Sequence, residues 1–208
     1  MEFASREDAG QKLGAFLRER NIRPDIVLGL PRGGVVVASE VACILDVPLD
    51  VLIVRKIGHP LQREFAVGAM AEGGVVLLDE RVIGSNPVIR AQLENVITEE
   101  TQRLREYETR FHRLIAPALQ NKQVLLVDDG LATGATTEAA VLSARKHGAA
   151  SVVVAVPVAS SNAVQRLQRV SDEVIALIVD PDFDAVGRYY DVFSQTSDAE
   201  VLELLKAA

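Results

Sequence analysis

The stretch "VLLVDDGLATGATTEAA", Val124 to Ala140, runs four apolar residues directly into two adjacent aspartates, Asp128 and Asp129. The loop that follows is small and hydroxylated, with Thr133, Thr136 and Thr137 but neither lysine nor arginine. Two carboxylates side by side at the end of a buried strand are costly unless donors or a counter-charge meet them. A ribose offers two hydroxyls on one face, spaced for such a pair, and a hydrated magnesium ion can add neutralising charge. Downstream, the main-chain N–H groups of Thr133, Gly134, Ala135 and Thr136 can curl round an anion where a helix begins, assisted by the helix dipole. The string therefore describes a cradle for a phosphorylated sugar that works without a cation of its own. In the plainer alternative one aspartate caps the helix and the other faces water, which accounts for a lone aspartate better than for the whole string. A P-loop is excluded because the lysine of its glycine-lysine pair is missing.

The elements around this loop must bring other groups to it. Valine-rich runs that mostly do not alternate with polar residues recur at 25–30, 50–54, 75–79, 124–129, 151–159 and 173–180. Such runs read as strands covered on both faces, and the helix-like stretches between most of them predict an α/β fold: a mainly parallel twisted sheet with helices on both sides. In such sheets ligands bind beyond the carboxyl ends of the strands, which is where Asp128 and Asp129 fall. Two segments break the rhythm. "AVGAMAEGGVVLLD" predicts an antiparallel hairpin with a glycine turn. Asn86 and Pro87, an N-cap and a first-turn proline, open a long helix to about Ala116. Its apolar positions Leu93, Ile97, Leu104, Tyr107, Phe111 and Leu114 form one greasy face, expected to pack against the domain or a partner subunit of a homo-oligomer.

The 208 residues, 49% of them apolar, suit one domain with a helical insertion at about 86–117. A net charge of -7 disfavours nucleic acid as a partner, and the arginines Arg103, Arg105, Arg110 and Arg113 of the long helix alternate with glutamates, as on a solvated face. Cys43 lies in an apolar run and is expected in the core. Without a signal peptide or an apolar stretch of membrane-spanning length, a cytoplasmic protein is expected.

"VLLVDDGLATGAT" resembles the 5-phosphoribosyl diphosphate (PRPP) signature of type I phosphoribosyltransferases: an apolar strand, two acids, two apolar or small residues and a Thr-Gly phosphate turn. The resemblance implies that Asp128 and Asp129 hold the ribose hydroxyls and that Ala132, Thr133, Gly134, Ala135 and Thr136 hold the 5-phosphate. "GLPRGGVVVA" stands where the family places its pyrophosphate loop, so Arg32, Gly33 and Gly34 are expected against pyrophosphate, with Arg55 and Lys56 of "VRKIGHP" completing the positive wall. "GHPLQREFAVGAM" fits the family's mobile loop, closing over substrate. "DPDFDAVGRYYDVFSQ" resembles the base-binding segment of purine-type members, which points to Phe183, Val186 and Gly187 at a base and to Asp191 near a metal. It lies in an expected C-terminal hood at about 173–208. Along nearly the whole chain the likeness is to a bacterial subgroup that carries the long helical insertion and brings no acceptor with it. Oxopurine enzymes carry an aspartate in the phosphate loop where this chain has Ala132, as adenine users do, so hypoxanthine and guanine are disfavoured as acceptors.

The resemblance implies transfer of 5-phosphoribosyl from PRPP to a nitrogen nucleophile, a nucleobase above all, with release of pyrophosphate. Arg32, Lys56 and Mg2+ would serve the leaving group, and Asp128 and Asp129, which magnesium can approach through water, would serve the ribose ring. A non-catalytic PRPP-binding regulator would show the same signature. A receiver-like domain would instead be phosphorylated on Asp128 or Asp129. The first two readings require a cleft at the aspartates and carboxylates not consumed by internal salt links.

Overall fold

Residues 2–84, 87–112 and 118–207 are described by the computed structural model. The valine-rich runs form five parallel strands: β1 (Ile26–Gly29), β2 (Leu49–Val51), β6 (Gln123–Val127), β7 (Ser151–Ser160) and β8 (Glu173–Asp180), in the order β2-β1-β6-β7-β8. Alternate side chains leave opposite faces of the sheet. Ile26, Leu28, Val124 and Leu126 face a core shared with α5 (Ala135–Lys146) and α6 (Ser161–Leu167), while Val27, Leu125 and Val127 face one shared with α1 (Arg6–Glu19) and α2 (Gly33–Leu45). Both sets are apolar because both faces are covered, which is why the runs show no alternation.

From β1 the chain passes through α2 to β2 on one side, while the other neighbour of β1 is β6. This reversal of strand order opens a crevice beyond the carboxyl ends of β1 and β6. Leu30 to Arg32 leave β1 there, and Asp128 to Gly134 leave β6 beside them.

A second sheet, in the order β3-β4-β5, is antiparallel: β3 (Val54–His59), β4 (Gln62–Ala71) and β5 (Val75–Leu78). The expected hairpin is β4–β5, with Ala71 opposite Val75 and with Gly73 and Gly74 both near φ +74° in its turn. One expectation about the strands is corrected. The run at 50–54 is not one strand: Leu52 N–H still bonds Gly29 of the large sheet, whereas the Ile53 carbonyl accepts from Glu72 of the small one. An uninterrupted apolar run hides this crossing because both sheets bury it. The segment expected as a mobile loop is the ladder β3–β4, whose outer end is exposed and irregular at Gly58.

The long helix is α4 (Pro87–Phe111), after the short α3 (Glu80–Ile83). Leu93, Leu104 and Phe111 are buried as expected, against Ile53, Ile57, Val67 and Met70 of the small sheet, with Ile97 and Tyr107 half-buried beside them. The N-cap Asn86, and Arg113, Leu114 and Ala116 near the expected end, lie outside the described residues. Cys43 is exposed, not buried: on α2 the inward positions are Val41, Ala42 and Leu45, and the helical turn carries residue 43 outward. The expected hood starts later than about 173, because Glu173–Asp180 is an edge strand of the main sheet; a 3-10 turn (Val186–Tyr189) and α7 (Asp198–Ala207) follow.

Just past α4, His112 fastens the helix to both sheets. Its Nε2 lies 2.8 Å from Glu72 Oε2, and its Nδ1 lies 3.7 Å from Asp50 Oδ1, an ion-pair distance too long for a hydrogen bond. Burial alone would lower the His112 pKa, but the carboxylates of Asp50 and Glu72 outweigh it and raise it to about 9. Between roughly pH 6.5, where an unfolded histidine titrates, and pH 9 the folded chain holds a proton the unfolded chain has lost. This contribution to stability is complete below that window and gone above it. Denaturant melts should show unfolding free energy falling by about 2 to 3 kcal/mol from pH 6.5 to 9.5. His112→Gln should flatten that slope, and a wild-type midpoint constant across the window would contradict the assignment.

Candidate active site

The crevice at β1 and β6 opens into a cavity of about 960 Å³, near the upper end of ligand pockets, roughly 300–1,000 Å³. Arg32 and Gly33 line it from the β1 loop, and Asp128 to Gly134, Thr136 and Thr137 line it from the β6 loop. Val54, Arg55 and Lys56 form a third side from β3.

At the cavity floor the Asp129 N–H donates to Asp128 Oδ1 at 2.9 Å. Burial pushes the Asp128 carboxyl well above its ordinary range, and the neighbouring charge of Asp129 pushes the same way. Asp129 is raised by burial as well, against the downward pull of Arg6. Arg6, the first residue of α1, reaches one oxygen of Asp129, Oδ2, with Nε at 2.8 Å and Nη2 at 2.7 Å. The requirement that the acids be free of internal salt links is therefore met by Asp128, which has no ion pair among the described residues, and only in part by Asp129. Sequence gives no sign of Arg6, 123 positions from its partner.

The loop expected to cradle a phosphate runs from the end of β6 to the start of α5. Gly134 takes the left-handed conformation, φ 71°, as N-cap of α5 without a side-chain cap of its own, and the first helical N–H, that of Ala135, donates to Thr133 Oγ1 at 3.4 Å. The Ala132 carbonyl accepts from Ser160 Oγ at 2.6 Å, which pins the loop to the end of β7. Ala135 heads the helix without lining the cavity. Thr137 is 1% exposed, and its hydroxyl has no hydrogen-bond partner among the described residues although the residue lines the cavity.

Among the cations, Lys56 is exposed in the wall and makes no ion pair among the described residues. Arg32 stands 3.6 Å from Asp198 Oδ1. Arg55 differs from expectation: buried Glu100 of α4 accepts from its Nε at 2.6 Å and also binds Arg103 at 2.5 Å. Glu99, Glu100 and Arg103 all line the cavity, so the long helix forms a wall of the site as well as packing against the small sheet. One buried glutamate inside "TEETQRLRE" cannot be told from its solvated neighbours by composition. Gly34 does not line the cavity; it backs onto Asp128, whose Oδ1 would lie 2.8 Å from a Cβ there.

The base-binding residues separate. Val186 lines the cavity, but Phe183 does not; its ring stacks on Tyr189 at 5.5 Å with 19° between planes. Gly187 packs on Phe193, and Asp191 is exposed away from the cavity with its N–H on the Phe3 carbonyl. The 3-10 turn after β8 causes this, turning Phe183 back onto its own segment. Among the described residues no cluster of three or more histidine, cysteine, aspartate or glutamate side chains could hold a metal, so a magnesium ion here would draw most of its ligands from a bound substrate.

A family profile described as "Phosphoribosyl transferase domain" matches residues 4–190. A Mycobacterium tuberculosis H37Rv protein named "Putative phosphoribosyl transferase" is 44% identical over 207 residues, 99% of this chain and 47% of its own length. The chain thus spans about half the length of the curated relatives it matches. The crystal structure of the TT1426 protein from Thermus thermophilus superposes with a TM-score of 0.81 at 43% identity, covering 99% of this chain and 98% of that one. The AQ2163 protein from Aquifex aeolicus shares the fold at 14% identity and a TM-score of 0.55, over 90% and 82% of the two chains. No helix of the described residues is long and apolar enough to cross a membrane. On its site geometry and on these matches, the chain belongs to the phosphoribosyl transferase domain family.

Proposed function

We propose that the chain transfers the 5-phosphoribosyl group of PRPP to a nitrogen nucleophile, with magnesium-dependent release of pyrophosphate. The observation that carries this is the convergence, in one cavity, of the half-buried Asp128–Asp129 pair, the N-terminus of α5 with the Thr137 hydroxyl, unpartnered among the described residues, and the Arg32 loop of β1. The nitrogen lone pair forms the bond to the anomeric carbon as the carbon–oxygen bond to pyrophosphate breaks, and the electron pair departs with pyrophosphate.

Positive charge gathers on the ribose ring and negative charge on the leaving group. The carboxyl groups of Asp128 and Asp129 oppose the first, while Arg32 and Lys56 oppose the second. The amides of Thr133 to Thr136 and the Thr137 hydroxyl hold the 5-phosphate, which fixes the ring before it reacts. The β3–β4 ladder contributes Gly58, Arg63, Glu64 and Ala66 to the wall and limits the entry of water. Magnesium would neutralise pyrophosphate charge, and its fit rests on Asp128, a carboxylate raised by burial that a cation or its bound water relieves. A nucleobase is the first acceptor class to test, with adenine favoured over oxopurines by Ala132.

Titration with PRPP, with and without magnesium, followed by a panel of purine and pyrimidine bases, tests the reading. Micromolar PRPP affinity that depends on magnesium, and pyrophosphate release with at least one acceptor, are expected. PRPP binding without release across the panel would favour a regulator, and no PRPP binding would remove the proposal.

A further inference from the structure

The two aspartates are adjacent in sequence but differ in surroundings. Arg6 puts two nitrogens on Asp129 Oδ2, and its remaining terminal nitrogen, Nη1, donates to the Ser194 carbonyl at 2.7 Å. Its guanidinium lies over Phe193, 3.8 Å from the ring centroid. The Tyr190 hydroxyl donates to the Asp129 carbonyl at 2.6 Å, and the Tyr190 ring contacts both Phe3 and Phe193. Arg6 is thus held on one side by the chain near its carboxyl end and holds the second aspartate on the other, with a side chain only 11% exposed. Asp128 has no such clamp; its bonded partner is the N–H of the next residue.

We propose that Arg6 is a positioning residue that fixes Asp129 in one rotamer by holding its Oδ2, leaving Asp128 as the acid with no fixed cationic partner to meet the ribose. The inference rests on the phosphoribosyl reading above. The physical case has two parts. Two carboxylates on one cavity wall repel each other, and a fixed guanidinium on Asp129 opposes that repulsion and the burial that raises both acids. A hydroxyl accepted by Asp129 must also find the carboxylate already in place, and both Arg6 and the Gly33 backbone restrict where Oδ2 can be: a Cβ on Gly33 would come within 2.1 Å of that atom. Arg6 packs beside Gly33 of the pyrophosphate loop but makes no hydrogen bond to Arg32, Lys56 or the β6 loop beyond Asp129 among the described residues. Its effect should therefore fall on the sugar and spare the pyrophosphate end.

The test compares wild type, Arg6→Gln, Arg6→Lys, Asp129→Asn and the Arg6→Gln/Asp129→Asn double variant, each checked by circular dichroism and thermal melting. Calorimetry measures magnesium–PRPP and magnesium–pyrophosphate binding for each. The expected result is that Arg6→Gln weakens PRPP by on the order of 10- to 100-fold, as loss of an orienting partner does elsewhere, with pyrophosphate affinity within about twofold of wild type. Arg6→Lys keeps the charge without the fork and should recover only part of the loss. In the Asp129→Asn background, Arg6→Gln should add little, because the two act as one unit. Arg6→Gln protein that folds and binds PRPP as wild type would overturn the proposal, as would equal losses for PRPP and pyrophosphate or an undiminished loss in the double variant. If wild type binds pyrophosphate but not PRPP, the phosphoribosyl reading fails first and this one with it; if wild type binds PRPP and Arg6→Gln matches it, only this one fails.

Discussion

Asp128→Asn should lower turnover of PRPP by on the order of 10² to 10³ and at the same time raise the melting temperature. The two directions have one cause. Burial and the nearby charge of Asp129 both raise the Asp128 carboxyl above its ordinary range. A raised carboxylate pKa means that ionisation costs the folded chain more than the unfolded one. Above the unfolded value the native state bears that cost, which grows as pH rises toward the folded value. The amide removes the charge while its oxygen can still accept the Asp129 N–H, so the local geometry has no reason to change. A gain of about 1 kcal/mol, or roughly 2 to 4 °C for a chain of this size, is expected. Activity falls because an uncharged group cannot oppose positive charge growing on the ring. Steady-state kinetics and differential scanning calorimetry on the same preparation decide the matter. A variant that loses activity and stability together would mean that Asp128 serves the fold, not the ligand.

Gly33→Ala should be strongly damaging to both stability and the site. The position opens α2, where alanine is favoured over glycine by about 1 kcal/mol on propensity alone. Packing opposes it: the new Cβ would lie 2.1 Å from Asp129 Oδ2, 2.7 Å from Arg6 Nε and 2.9 Å from Arg6 Nη2. These atoms are not the free ends of mobile side chains but both halves of a buried ion pair, so relief means breaking the pair or displacing the loop after β1. A net loss of about 2 to 4 kcal/mol is expected, with PRPP affinity reduced at least as much as in Arg6→Gln. Chemical denaturation and calorimetry would show both. Wild-type values in each would mean that the close approach of β1 loop and aspartate is not a feature of the folded protein.

The sequence displayed the parts of this molecule that depend on local pattern. Valine runs without alternation gave the parallel sheet, because double burial leaves a compositional trace in each strand. The Asp128 to Thr137 string showed one cavity wall, because acids, small residues and hydroxyls occupy consecutive positions on one strand end and one helix start. Lys56 and Arg32 were legible for the same reason: each lies just past a valine-rich run, and the fold brings the ends of those runs together. What stayed hidden is pairing across distance. Arg6 looks like any charged residue in the first turn of an amphipathic helix, and only the path of the chain sets it beside Asp129. Glu100 was concealed among exposed glutamates, so the capture of Arg55 could not be anticipated. Phe183 misled by its setting: an aromatic between acids in a loop suits a stacking role, but a tight turn supplied Tyr189 as its partner.

The Arg6 clamp also bears on the order in which the protein is completed. Its bonds to Asp129 and Ser194 close loops of 123 and 188 positions. Contacts of such span form late and slow the folding of a chain that depends on them. On the ribosome, the sheet up to β6 can gather while the clamp still lacks the segment that steadies it. The clamp can therefore be complete, with both of its bonds, only once the region around residue 194 is in place.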